Sequence, residues 1–204
     1  MTPPGARVGR LRIISGELRG RRIDVPDLPG LRPTPDRARE ALFSILVGDV
    51  PGARVLDAYA GSGSLGLEAL SRGAAGAMFV ERQRVAAEAI RRAVERFGLG
   101  GRCAIVEGDV GVVLERRGGA DGPFDLVLAD PPYADAAERE RFLHALVRSA
   151  ALAAGAIVVV ERPARAQMPG APAGLGHVRS ARWGETASDF WRFDGPFTSE
   201  TGDG

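Results

Sequence analysis

The chain contains no lysine; all 27 of its basic residues are arginines. A Walker phosphate loop and a Tyr-x-x-x-Lys dehydrogenase each need a lysine amine, so both chemistries are excluded. Cysteine is nearly as scarce. Cys103 stands alone, which rules out an intrachain disulfide, a thiolate metal cluster and any mechanism built on two cysteines. It falls in an apolar run and reads as inert core. Long hydrophobic stretches are missing as well: the longest, Ala150 to Val160, is broken by Gly155 and falls short of the roughly 18–20 residues that cross a bilayer. Neither a membrane span nor a signal peptide is expected, and the cytoplasm is the expected compartment.

What is present is ordinary for a globular protein. With 204 residues, 45% of them hydrophobic and 26% charged, the chain has room for one catalytic domain and a short appendage. The net charge of +1 hides an asymmetry. Residues 1–39 carry nine arginines against Glu17, Asp24, Asp27 and Asp36, a local charge of +5 that leaves −4 for the remainder. Such a split suggests that the N-terminal segment meets a polyanion.

Met1 to Gly9 reads as a tail. Leu11 to Ser15 and Arg21 to Val25 are short β-prone runs around Gly16 and Gly20, and together they predict a hairpin studded with arginine. Thr34 and Pro35 are suited to cap and open a helix carrying Ala38, Leu42, Phe43 and Leu46. From Ala53 the chain alternates apolar strands (Arg54 to Ala58, Gly76 to Glu81, Arg102 to Glu107, Phe124 to Asp130, Ala156 to Val160) with helices (Ser64 to Arg72, Arg84 to Phe97, a short one after Asp109, Asp135 to Ala151). Val178 to Trp183 and Phe190 to Phe193 lack an intervening helix and read as a closing antiparallel pair. The expectation is a Rossmann-like α/β fold: a doubly wound, mostly parallel seven-stranded sheet with a C-terminal antiparallel pair and a small N-terminal β-hairpin extension. Residues 1–33 would form the basic extension and 34–204 the catalytic domain. Trp183 and Trp191 are expected in the core, and His144 and His177 in surface or packing roles.

Gly61, Gly63 and Gly66 fit G-x-G-x-x-G after the first parallel strand. That pattern alone serves several nucleoside ligands, and small residues also simply tighten such turns. Asp57, four residues earlier, makes it more specific: a carboxylate there repels a pyrophosphate but suits the ammonium and sulfonium of S-adenosylmethionine. Glu81, 24 residues after Asp57, lies near the roughly 20-residue offset of the acid that grips ribose hydroxyls. Asp109 ends the third strand, where it can accept from the adenine amino group or cap the following helix. Tyr59, Ser62 and these glycines complete the expected cofactor set: Asp57, Tyr59, Gly61, Ser62, Gly63, Glu81 and Asp109.

Asp130-Pro131-Pro132-Tyr133 ends the fourth strand at the switch point. An exocyclic base amine is a poor nucleophile because its lone pair is delocalised into the ring, so a site for it must hold both N–H bonds. The Asp130 side chain and the Pro131 carbonyl supply two acceptors, and the prolines bring no competing N–H. Tyr133 is suited to stack on a flipped base, worth roughly 1–3 kcal/mol. These four residues form the expected catalytic set. The chemistry requires no metal, and it serves guanine N2, adenine N6 or cytosine N4 alike.

With these residues placed, the chain resembles the bacterial small-subunit rRNA guanine-N2 methyltransferases, which act on a single guanine of 16S rRNA. The likeness spans Arg12 to Phe193. It includes the arginine hairpin, the segment Leu31-Arg32-Pro33-Thr34 with Asp36, Arg37, Arg39-Glu40 and Leu42-Phe43, the stretches Ala60-Gly61-Ser62-Gly63 and Leu65 to Gly73, and Asp130 to Tyr133. The resemblance implies guanine as the target base and 16S rRNA, in an assembling 30S subunit, as the partner. Arg10, Arg12, Arg19, Arg21, Arg22, Arg32 and Arg37 are the candidate RNA contacts. A monomer is expected, as nothing predicts a dimer. A DNA adenine-N6 or cytosine-N4 methyltransferase and a non-catalytic RNA-binding ribosome assembly factor stand as the alternatives.

Overall fold

In a computed structural model, the structure describes residues 9–29, 34–131 and 136–195. Two strands, β1 (Gly9–Arg12) and β2 (Arg22–Val25), form the antiparallel hairpin. The expected first strand is displaced toward the N-terminus, because Ile13 to Gly20 is spent on the turn, closed by Gly20 N–H donating to the Ile13 carbonyl at 2.9 Å. Helix α1 (Asp36–Ile45) follows. Thr34 does not cap it: Pro35 occupies the N-cap with no side-chain cap bond, and the Thr34 hydroxyl is hydrogen-bonded to Glu161 instead.

The main sheet contains β3 (Arg54–Ala58), β4 (Gly76–Glu81), β5 (Cys103–Glu107), β6 (Phe124–Ala129), β7 (Leu152–Pro163), β8 (Leu175–Trp183) and β9 (Thr186–Phe193). Between the strands lie α2 (Ser64–Ser71), α3 (Arg84–Arg96), α4 (Val110–Asp121) and α5 (Ala136–Arg148). The strand order is β5-β4-β3-β6-β7-β9-β8, the first five parallel and β9 antiparallel to both its neighbours. The chain runs outward from β3 to β5, then crosses back to β6 on the other side of β3. The resulting switch point lies between β3 and β6, where ligands of doubly wound sheets bind at the strands' carboxyl ends.

Each face of the sheet is covered by its own apolar layer. On one face, Val55, Leu128 and Val159 pack with Leu42 and Phe43 of α1, Leu70 of α2 and Ile90 of α3. Ile13, Leu18 and Ile23 of the hairpin belong to this same layer, so the arginine-bearing hairpin is anchored through its apolar residues. On the other face, Leu56, Val127 and Val158 pack with Leu114 of α4, Phe142 and Leu146 of α5 and the fully buried Trp191. Trp183 is only partly buried. Strand β7 is longer than the apolar run Ala156 to Val160, with a register shift opposite Phe124 to Leu126 and Gly155 at φ 77°. This irregularity lets a strand of mixed polarity continue on both sides of its buried centre.

Candidate functional site

The turn from β3 to α2 is built on left-handed backbone. Tyr59, Gly61 and Gly63 have φ of 59°, 55° and 73°. For Tyr59 this is an uncommon conformation, and it is held in place: its hydroxyl donates to Glu138 at 3.1 Å and its ring meets Phe142 edge-on. Two acids fix the turn from below. Glu81 accepts the Gly61 N–H at 2.8 Å and the Gln83 N–H at 2.7 Å. Asp57 accepts the Gly66 N–H at 2.8 Å. Gly66 is required by space, since a Cβ there would lie 2.4 Å from the Phe79 ring and 3.0 Å from the Asp57 carboxylate. Ser62 is buried within the turn.

At the carboxyl ends of four neighbouring strands stand four carboxyl groups: Glu81 on β4, Asp57 on β3, Asp130 after β6 and Glu161 on β7. Asp57, Leu128 and Val159 form one cross-strand row, and Asp130 and Glu161 lie two residues beyond Leu128 and Val159 on the same side. Burial pushes the Asp57 carboxyl well above the usual carboxylate range, and Asp130 and Glu81 add to the effect. Loss of hydration pushes Asp130 up to about 7. Glu161, 4% exposed, is raised well above its ordinary value by burial and by the charges of Asp130 and Asp57. Buried like charges at this spacing do not all ionise at neutral pH.

Pro131 is buried beside Asp130. Pro132, Tyr133 and Arg32 lie outside the described residues. Asp109 serves as the N-cap of α4, accepting the Val112 N–H at 3.2 Å, so the capping alternative is realised there and leaves part of the carboxylate for other donors.

The candidate RNA contacts separate into engaged and unengaged cations. Arg10 pairs with Asp24 at 3.8 Å, Arg12 with Asp36 at 2.9 Å, and Arg21 lies over the Phe97 ring. Arg19, Arg22 and Arg37 are exposed and have no acidic partner among the described residues. His144 and His177 lie on the surface, the latter against Trp191.

Two features escape a reading of the sequence. Arg39 on α1 is fully buried, donating from Nη2 to the Arg12 carbonyl at 2.6 Å and to Asp36 at 2.9 Å, while Nε and Nη1 have no partner among the described residues. Its burial lowers the guanidinium pKa. Glu161 is the other. Its signal is present in the sequence all the same: an acid directly after an apolar strand, as at Glu81 and Asp130.

Known proteins resemble this chain in sequence and in fold. The family model described as Conserved hypothetical protein 95 matches residues 11–192. The chain is 37% identical over 179 residues, 88% of each chain, to ribosomal RNA small subunit methyltransferase D of Escherichia coli K12. It is 37% identical over 130 residues to the protein of that name from Haemophilus influenzae, covering 64% of this chain and 67% of the relative. A solved Escherichia coli structure described as a candidate methyltransferase superposes with a TM-score of 0.80 at 34% identity, over 92% of this chain and all of the other. A hypothetical protein of Thermus thermophilus gives 0.74 at 34% identity, over 88% and 98% of the two chains.

Proposed function

The chain belongs to the Conserved hypothetical protein 95 family, and from that premise we propose that it is an S-adenosylmethionine-dependent methyltransferase acting on the exocyclic N2 of a guanine in 16S rRNA. Small-subunit rRNA is the substrate class in the names of its curated relatives. The observation that carries the reading is the placement of Asp130 and Pro131 at the switch point, one strand from the glycine turn and Asp57.

The donor set fits the cofactor. The buried Asp57 carboxyl, its proton affinity raised by burial, gains from a cation placed beside it. When bound, S-adenosylmethionine supplies an electrophilic methyl on a cationic sulfonium. Asp57 would hold its charged amino-acid end, and Glu81, whose oxygens retain unused lone pairs, would take ribose hydroxyls. Gly61 and Gly63 bring backbone close to the ligand without side-chain obstruction. Asp130, as carboxylate, and the Pro131 carbonyl would accept the two N–H bonds of the amine and direct its lone pair to the methyl. A carboxyl near pH 7 is also matched to receiving the proton that the methylated amine releases. Positioning and electrostatics then supply the acceleration.

Residues 1–33 would serve as the basic RNA-binding extension and 34–204 as the catalytic domain, working in the cytoplasm as a monomer. No helix among the described residues is long and apolar enough to cross a membrane.

Methyl transfer from labelled cofactor to 16S rRNA, 30S particles and duplex DNA, followed by nucleoside analysis, tests the proposal. N2-methylguanosine from the ribosomal substrates is expected. N6-methyladenine or N4-methylcytosine as the only product would establish a DNA-type enzyme, and failure to bind S-adenosylmethionine at equilibrium would favour a non-catalytic assembly factor.

A further inference from the structure

We infer that Glu161 is a specificity-determining residue that accepts the ring N1–H of the target guanine, and so selects guanine over the other amino-bearing bases. The inference rests on the guanine-N2 reading above and deepens it.

The order of the strands sets the positions. Glu81 and Asp57, on β4 and β3, flank the glycine turn and define the cofactor side. Asp130, on the next strand, meets the amine. Transfer in line with the breaking bond requires the nucleophile to approach from the side opposite the leaving sulfur. The base must therefore extend away from β3 and β4, toward β7. Neighbouring strands are spaced about 4.8 Å apart, which puts the Glu161 backbone one strand beyond that of Asp130, where the ring atoms next to the amine have to lie. Asp130 and Glu161 follow the paired residues Ala129 and Val160, and so sit side by side on one side of the sheet.

Guanine alone among the amino-bearing bases carries an N–H beside its exocyclic amine. Adenine N6 is flanked by N1, a bare acceptor, and cytosine N4 by N3, also a bare acceptor. A carboxyl at this position complements guanine and opposes the other two. Glu161 keeps acceptor capacity to spare, since the Thr34 hydroxyl uses one of its lone pairs and two oxygens offer about four. Among the described residues it has no salt-bridge partner. Burial raises its proton affinity, and an N1–H donating to it favours the ionised form, which only accepts and so has no O–H to offer the bare ring nitrogen of adenine or cytosine. Ser188, opposite Glu161 on β9, is likewise fully buried with a hydroxyl that has no partner among the described residues. The polar capacity at this corner exceeds what the protein itself uses.

The test compares two ligated 16S rRNAs, one with guanine and one with 2-aminopurine at the methylated position. 2-Aminopurine keeps the amine but has no N1–H. The full-length protein should prefer guanine by about 10- to 100-fold in kcat/KM, the range for a buried acceptor left without its donor. Glu161→Leu should bring that ratio close to one, and Glu161→Gln, which keeps a carbonyl oxygen, should largely preserve it. Because the ratio is taken within each variant, a general loss of folded protein cancels. A wild-type ratio near one, or a Leu variant that loses activity on both RNAs in equal proportion, overturns the assignment. Absence of any methylated guanine with the wild-type protein overturns the underlying function instead, and the two failures are therefore distinct.

Discussion

Glu68 on α2 accepts the backbone N–H of Ile14 at 2.8 Å through a carboxylate with no solvent exposure. The same side chain accepts the Ser15 N–H at 3.1 Å and pairs with Arg72 at 2.8 Å. One turn further along the helix, Ser71 accepts the Leu18 N–H. The basic hairpin is thereby fastened to the helix that opens from the glycine turn. On the proposed function, RNA contact and cofactor binding would share this connection, so the orientation of one would constrain the other.

Replacing Glu68 with Ala is expected to cost about 3 kcal/mol or more, because two backbone N–H groups and Arg72 lose their acceptor. Urea unfolding reads the loss. Hydrogen exchange should accelerate first at the Ile14 and Ser15 amides, and uniform acceleration across the sheet would contradict a local fastening.

For Asp130, activity and stability should move in opposite directions. In the folded state its carboxyl titrates at about 7, against an ordinary value of 3.8. Between those limits the folded protein binds more protons than the unfolded chain, so stability falls as pH rises through the interval. Asp130→Asn removes this penalty and should raise the melting temperature at pH 8 by a few degrees, corresponding to roughly 1–2 kcal/mol. At pH 4 the difference should vanish. The variant should lose at least about 100-fold in kcat, as expected for loss of a transition-state contact, while binding S-adenosylmethionine with little change.

The wild-type pH profile follows from the same carboxyl. If the anion of Asp130 is the acceptor, kcat/KM should rise with pH through an apparent value near 7 and then level off. A flat profile from pH 5 to 9, measured by initial rates at subsaturating RNA, would remove Asp130 from that role.

The glycine turn should tolerate no side chain at Gly66. A Cβ 2.4 Å from the Phe79 ring forces repacking that typically costs about 1–3 kcal/mol, and it also disturbs the N–H that Asp57 holds. Gly66→Ala should therefore lower the melting temperature and weaken cofactor binding, read by calorimetry. Asp57→Ala should weaken cofactor binding too.

Arg19, Arg22 and Arg37, the exposed cations without acidic partners among the described residues, should carry more of the salt-dependent RNA affinity than Arg10 and Arg12, which are already paired. Changing the three to Ala should reduce the slope of log K against log salt by about 2–3. An unchanged slope would clear them of phosphate contact.

The parallel sheet is legible in the sequence because its strands are short apolar runs separated by helices of distinct period. Arg54–Ala58 and Gly76–Glu81 have the bounds their residues predict. Strand β7 outruns its apolar segment because pairing to β6 and β9 continues past Gly155 at one end and through Glu161 at the other. Thr34 misleads as a cap for a different reason. Its hydroxyl has two candidate partners, a local N–H and a distant carboxyl, and only the folded chain brings Glu161 within reach. Arg39 is hidden because charge argues for the surface, whereas its burial rests on the Arg12 carbonyl and Asp36. Asp57 and Asp130 stand out from strand-end position alone.

The four carboxyls from Glu81 to Glu161 would also sort a nucleic acid by charge. Their strand ends extend over roughly 14 Å, and a phosphodiester lying across them would lose its hydration beside groups that cannot donate to it once ionised. A neutral base is not turned away, and neither is a cationic sulfonium. On the proposed function, phosphates would be left to exposed arginines elsewhere and a base would reach the floor only out of its stack, so the same carboxyls that suit a cationic donor would also favour an extruded nucleotide.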